Sequence, residues 1–281
     1  MLLNMRLVDE IIQTALKEDI GTGDVTTMST IPPDVTTTGF IYAKDDGVIA
    51  GLLVAERVFT NLSSEIEFHA RVQDGDRVGR GDVLATVAGP ARAILTGERV
   101  ALNLLQRMSG IATRTAHIAE LLTYYNTMVV DTRKTTPGLR VLEKYAVKIG
   151  GGKNHRFGLY DAVLIKDNHI KVAGGIKKAV AMARGSAPHT MKIEVEVENL
   201  DGVREALEAR ADIIMLDNMD FTAVKDAVRM INGQARVEVS GGINEDNVVE
   251  YAKAGVDLIS MGGLTHSVRA LDISLDVGEI K

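Results

Sequence analysis

The sequence predicts an α/β protein: an incomplete β/α barrel of six to seven parallel strands, preceded by an N-terminal α+β domain. Two observations carry this expectation. From Asp131 onward a short apolar or β-branched run, a polar cluster and a helical pattern recur in the same order. Alternation of this regularity builds a parallel sheet that curls toward a barrel. The first 110 residues instead show short strand-like runs interrupted by Asp-Gly pairs, the mark of antiparallel pairing. The expected domains are therefore 1–110 and 111–266.

In the first domain, "VDEIIQTALKED" and the stretch from Ala93 to Leu122 have helical spacing, while "TTTGFIYAKDDGVIAG" and "SSEIEFHARVQDGDRVGRGDVLATVAG" read as antiparallel strands. The second of these runs has the look of a biotinyl or lipoyl carrier module. No lysine stands at a hairpin tip to be modified, so plain strand-turn-strand structure is expected. In the second domain the strand runs are "MVVDTRK", "AVLIKDN", "MKIEVEV", "DIIMLDN", "RVEVSGG" and "DLISMGG". The segments between them repeat apolar residues at spacings of 3 and 4. Gly150, Gly185 and Gly255 are expected to cap three of those helices. Six strands are fewer than the eight of a full barrel.

The formal charge is −6 over 281 residues, which argues against a nucleic-acid binder, since such proteins carry a broad basic face. No signal-like segment and no apolar run near the roughly 18 residues of a membrane span is present. A soluble cytoplasmic protein is expected. There is no cysteine, which excludes disulfides, thiolate metal sites and cysteine nucleophiles. None of the six histidines has metal-ligand spacing.

Active sites of such barrels form at the C-terminal ends of the strands, so the polar clusters converge on one mouth. The first two clusters supply Thr132, Arg133 and Lys134, then Lys166, with Asn154, His155 and Arg156 just upstream of the second run. Arg133, Lys134, Arg156 and Lys166 together suit a carboxylate or phosphate. Arg140 and Lys144, in the helix that follows, read as surface groups. Next come Glu194, Glu196 and Glu198, then Asp217. Alternation puts the glutamates on one strand face and Val195 and Val197 on the other, so the glutamates point into the barrel if the valines pack on helices. Glu194 and Glu198 read as structural ion-pair partners. Glu196 and Asp217 suit ribose hydroxyls, or a magnesium ion shared with substrate phosphates. Ser240, Gly241 and Gly242, with Ser260, Gly262 and Gly263, let backbone N–H groups approach an anion.

These motifs together resemble the quinolinate phosphoribosyltransferase family nearly end to end. "EDIGTGDVTT", "GERVALNLLQRMSGIAT", "DTRKTTPGLRVLEKYAVKIGGGKNHRFGLYDAVLIKDNHI", "EVEVENL", "MLDN", "VSGGI" and "ISMGGLTHS" carry the likeness, and the forty-residue central block is the most specific. The resemblance implies transfer of phosphoribosyl from phosphoribosyl pyrophosphate to quinolinate with decarboxylation, giving nicotinate mononucleotide, CO2 and pyrophosphate, with Mg2+ arriving alongside the co-substrate. It implies a homodimer with shared active sites, open to further assembly, and a tail, about 267–281, that returns to the first domain. By the same resemblance Arg99 reaches quinolinate from the partner subunit, while Arg133, Lys134, His155, Arg156 and Lys166 surround the carboxylates and pyrophosphate. Glu196 and Asp217 hold ribose hydroxyls, and Ser240, Gly241, Gly242 and Gly262 cradle phosphate. Lys134 or His155 then protonates the carbanion left by decarboxylation. A transferase acting on nicotinate or another base, and a non-catalytic sugar-phosphate sensor, are the alternatives.

Overall fold

The structure, a computed structural model, describes residues 3–278. Its strands are β1 (Thr36–Ala43), β2 (Gly47–Val48), β3 (Glu67–Ala70), β4 (Arg77–Val78), β5 (Val83–Pro90), β6 (Met128–Val130), β7 (Val163–Ile165), β8 (Ile193–Val197), β9 (Ile213–Asp217), β10 (Arg236–Ser240), β11 (Leu258–Ser260) and β12 (Ile273–Val277). The chain divides into two compact units. One comprises Met1–Ala116, Thr135–Gly151 and Thr265–Lys281; the other comprises His117–Lys134 and Gly152–Leu264.

The first unit holds a four-stranded sheet in the order β12-β1-β5-β3 and a separate β2-β4 pair. The Asp46-Gly47 pair therefore does not make a hairpin: β1 passes on to β2, yet its sheet partners are β5 and β12, both antiparallel. Long-range pairing wins because the buried positions of β1, among them Ile41 and Ala43, are fully covered in that arrangement. Residues 279–281 of the tail lie outside the described residues. The helix Met5–Ile20 buries Val8, Ile12 and Leu16 at helical spacing. In the 31-residue helix Ala91–Leu121, Gly110 is obligatory, since a Cβ there would stand 2.2 Å from the carbonyl oxygen of Arg269.

Pro137 and Gly138, the latter at φ 82°, turn the chain into the helix Arg140–Ile149. Lys144 corrects the surface reading, being wholly buried, and Arg140 is half-buried with its Nε donating to Thr135 Oγ1 at 2.9 Å. The buried face of this helix is wide: Val141, Leu142, Glu143, Lys144, Ala146 and Val147 are all covered. Inside it, Glu143 accepts from Arg107 Nε at 2.7 Å and from the Thr136 backbone N–H at 3.1 Å. That bond ties down the loop that follows Lys134.

The second unit is the six-stranded parallel sheet β6-β11-β10-β9-β8-β7, and every strand run read from the sequence is one of its strands. No seventh parallel strand joins the sheet among the described residues. One parallel bridge, Val130 to Lys153, adds a short piece of chain to the outer edge of β6. Polar residues after β7 begin a helix directly, Asp167–Ala173, which periodicity alone does not reveal. Gly185 lies within the helix Ile176–Ser186 rather than capping it. Gly150 is a C-cap, and Gly255 follows the cap of its helix at φ 90°.

Candidate active site

The parallel register sets the site's floor. Asp217, Ser240 and Ser260 are neighbours across β9, β10 and β11, with Val130 of β6 next in line. One layer deeper, Glu196, Met215 and Glu238 are neighbours across β8, β9 and β10. Val195 and Val197 are buried on the opposite face of β8, so Glu194 and Glu196 share the inner side.

At the end of β6, Asp131 is fully buried and anchors the segment that carries two predicted site residues, His155 and Arg156. Its Oδ2 accepts from Asn154 Nδ2 at 2.6 Å and its Oδ1 from the His155 backbone N–H at 2.9 Å. The Asp131 N–H in turn donates to the Lys153 carbonyl at 3.1 Å. The Thr132 hydroxyl accepts from the Lys134 N–H at 3.0 Å, and this shapes the exposed Arg133-Lys134 turn. Arg156 lies close enough to Arg133 for their charges to interact. Burial first, and then the charge of Arg133, push the Arg156 guanidinium below its ordinary range. An anion bound beside Arg156 would offset the Arg133 charge that acts on it.

Lys166, at the end of β7, forms an ion pair with Glu196 of β8. The cationic and acidic halves of the mouth therefore meet at this contact. Glu198 is exposed beyond the strand end. Asp217 accepts from Asn218 Nδ2 at 2.8 Å. Gly241 stands at φ 92°, and a Cβ there would lie 2.1 Å from Asn218 Oδ1; Gly242 follows at φ 65° with open space around it. The helix Val248–Lys253 begins only after Asn247, so this glycine pair sits in a loop and not at a helix start. Gly262 is half-buried and Gly263 begins the short helix Gly263–His266. Arg99 lies on the helix Ala91–Leu121 of the first unit, with its side chain 59% exposed and 3.9 Å from Glu98.

Beneath the mouth is a cluster the sequence did not reveal. His155 Nε2 lies 3.0 Å from Glu194 Oε2 and 3.6 Å from Glu238 Oε1, and both carboxylates are almost wholly buried. Glu194 Oε1 and Glu238 Oε1 have no hydrogen-bond partner. Burial first, and then the neighbouring Glu194 charge, raise the Glu238 carboxyl to about 7. Its folded value lies above the ordinary 4.5, so the stability tied to its proton is complete below about 4.5 and is lost as the pH rises through about 7. Glu238→Gln should therefore flatten the fall in Tm that the wild-type protein shows between about pH 5 and pH 8. An unchanged slope in calorimetry would show that Glu238 is not the group responsible. The three residues come from separated elements, so no local spacing announces them.

The chain is similar to known proteins along nearly its whole length. The family profile "Quinolinate phosphoribosyl transferase, N-terminal domain" matches residues 24–109, and "Quinolinate phosphoribosyl transferase, C-terminal domain" matches 111–276. A Bacillus subtilis protein named probable nicotinate-nucleotide pyrophosphorylase [carboxylating] is 47% identical over 92% of this chain and 90% of its own. The crystal structure of NadC from Streptococcus pyogenes superposes with a TM-score of 0.94 at 43% identity, covering 99% of this chain and 100% of that one. The nicotinate-nucleotide pyrophosphorylase of Francisella tularensis gives 0.93 at 41% identity, covering 97% and 96%. With both domain profiles matched in order and relatives this similar along nearly the whole length, the chain belongs to the quinolinate phosphoribosyl transferase family.

Proposed function

We propose that the chain transfers phosphoribosyl from phosphoribosyl pyrophosphate to quinolinate and decarboxylates the product, releasing nicotinate mononucleotide, CO2 and pyrophosphate. The observation that carries this reading is the set of cations after β6 and on either side of β7, Arg133, Arg156 and Lys166, with the Arg133 charge acting on Arg156, in a chain of net charge −6. Such local concentration of positive charge suits a small dicarboxylate and a polyphosphate.

In this reading Arg133, Arg156 and Lys166 take the two carboxylates, and Lys166 must leave Glu196 to do so. Glu196, once released, and Asp217 take the ribose hydroxyls, with Thr132, Ser240, Gly241, Gly242 and Gly262 around the phosphates. Glu196 and Asp217 are oxygen donors at the acidic half of the mouth and fit magnesium shared with pyrophosphate, which would neutralise charge on the leaving group. The pyridine nitrogen attacks the anomeric carbon as pyrophosphate departs, and the cations hold the departing charge. Nitrogen is now quaternised, so the bond to the 2-carboxylate breaks with its electron pair left on the ring carbon beside the positive charge. CO2 leaves and a proton takes its place. Lys134 is the donor in this reading, because both ring nitrogens of His155 already face protein groups at 2.7 and 3.0 Å.

The proposed working form is a cytoplasmic homodimer in which Arg99 serves the partner's mouth. Mixing inactive Arg99→Ala with inactive Lys166→Ala should then restore about a quarter of the sites, as random pairing of shared sites requires. Activity no greater than the sum of the two variants would place each site within one chain. The reaction itself is tested by mass spectrometry of products from quinolinate and phosphoribosyl pyrophosphate with magnesium, with nicotinate as the competing substrate.

A further inference from the structure

We infer that Glu194, backed by Glu238, is a positioning residue for the reaction: it holds the His155 ring in one tautomer and one direction, and the ring in turn fixes Arg156. The Arg156 backbone N–H donates to His155 Nδ1 at 2.7 Å, so that nitrogen carries no proton. The ring proton is therefore on Nε2, 3.0 Å from Glu194 Oε2. A hydrogen bond on the far nitrogen is how an imidazole's tautomer and orientation are set. On the near side the ring meets the main chain of Arg156 itself. Glu194 is 4% exposed and Glu238 1%, so water does not compete for this contact and neither carboxylate can reach a substrate directly. Asp131 fixes the same segment by its main chain at His155. Backbone and ring are thus held from two sides, which fixes the main chain from which the Arg156 side chain extends.

The inference rests on the proposed role of Arg156 in binding quinolinate. Two variants separate a hydrogen-bond role from a general packing role. Glu194→Leu removes the acceptor and is expected to raise the KM for quinolinate about tenfold, the usual effect of one lost buried hydrogen bond, while the KM for phosphoribosyl pyrophosphate holds. Glu194→Gln keeps an acceptor oxygen and is expected to restore the quinolinate KM. Nitrogen-15 NMR of histidine-labelled protein, with the His155 signals assigned by their loss in His155→Gln, is expected to show the Nε2–H tautomer in the wild type and in Glu194→Gln. If Glu194→Leu does not fold, the wild-type and Glu194→Gln spectra decide alone. An Nδ1–H tautomer in the wild type would overturn the inference. So would a folded Glu194→Leu with an unchanged quinolinate KM. Stoichiometric divalent metal in the purified protein, lost from both Glu194 variants, would also overturn it and make the triad a metal site. The NMR measurement needs no turnover, so failure of the wild type to use quinolinate would count against the proposed function and not against the positioning of His155.

Discussion

Arg156→Ala is expected to raise the KM for quinolinate by about a hundredfold or more and to leave the KM for phosphoribosyl pyrophosphate within about threefold, because a charge-assisted contact to a carboxylate is worth roughly 1.5–3 kcal/mol per bond and a guanidinium makes two. The split between the two substrates is the informative part. Among the charges that act on Arg156, that of Arg133 acts most strongly and that of Glu196 more weakly, and quinolinate is the substrate proposed for it. Arg156→Lys is expected to recover only part of the loss, since an ammonium cannot reproduce the planar fork. Initial-rate kinetics with each substrate varied in turn measure this directly. Equal rises in both KM values would mean that Arg156 supports the whole mouth and does not read one substrate.

Asp131→Ala carries the second large effect, on stability and turnover together. The carboxylate is fully buried and accepts from Asn154 Nδ2 and from the His155 N–H at 2.6 and 2.9 Å. Its removal strands two donors away from water, at about 1–3 kcal/mol each, and frees the segment that carries His155 and Arg156. A fall in kcat/KM of about a hundredfold is expected, because small displacements of binding groups are enough for that. Asp131→Asn keeps one acceptor oxygen and should fall between the two. Thermal unfolding and kcat/KM measured on the same preparations test the pairing of effects, and a destabilised variant with full activity would contradict it.

The parallel sheet was legible in the sequence because each of its strands is a short apolar run flanked by polar residues, as at "DIIMLDN". Strand ends are equally legible: Thr132, Arg133 and Lys134 follow β6, Lys166 follows β7, Glu196 lies next to the last residue of β8, and Asp217 and Ser240 close β9 and β10. What escaped depends on partners far away in sequence. The pairing of β1 with β12 joins positions more than two hundred residues apart, and no turn signal specifies it. Lys144 read as surface because a charged residue in an amphipathic helix usually is, whereas this helix is covered on a broad face. Glu238 does not stand out inside "RVEVSGG", where a polar residue alternating with valines has the pattern of a half-exposed strand. In a barrel that second face is the interior, and there Glu238 meets Glu194 and His155. The helix Asp167–Ala173 is hidden for a related reason, because a polar cluster at a strand end reads as loop.

Purified protein incubated with phosphoribosyl pyrophosphate, magnesium and either quinolinate or nicotinate is expected to form nicotinate mononucleotide from quinolinate, with CO2 and pyrophosphate released in equal amounts. No nicotinate mononucleotide from quinolinate, or faster turnover of nicotinate, would contradict the account.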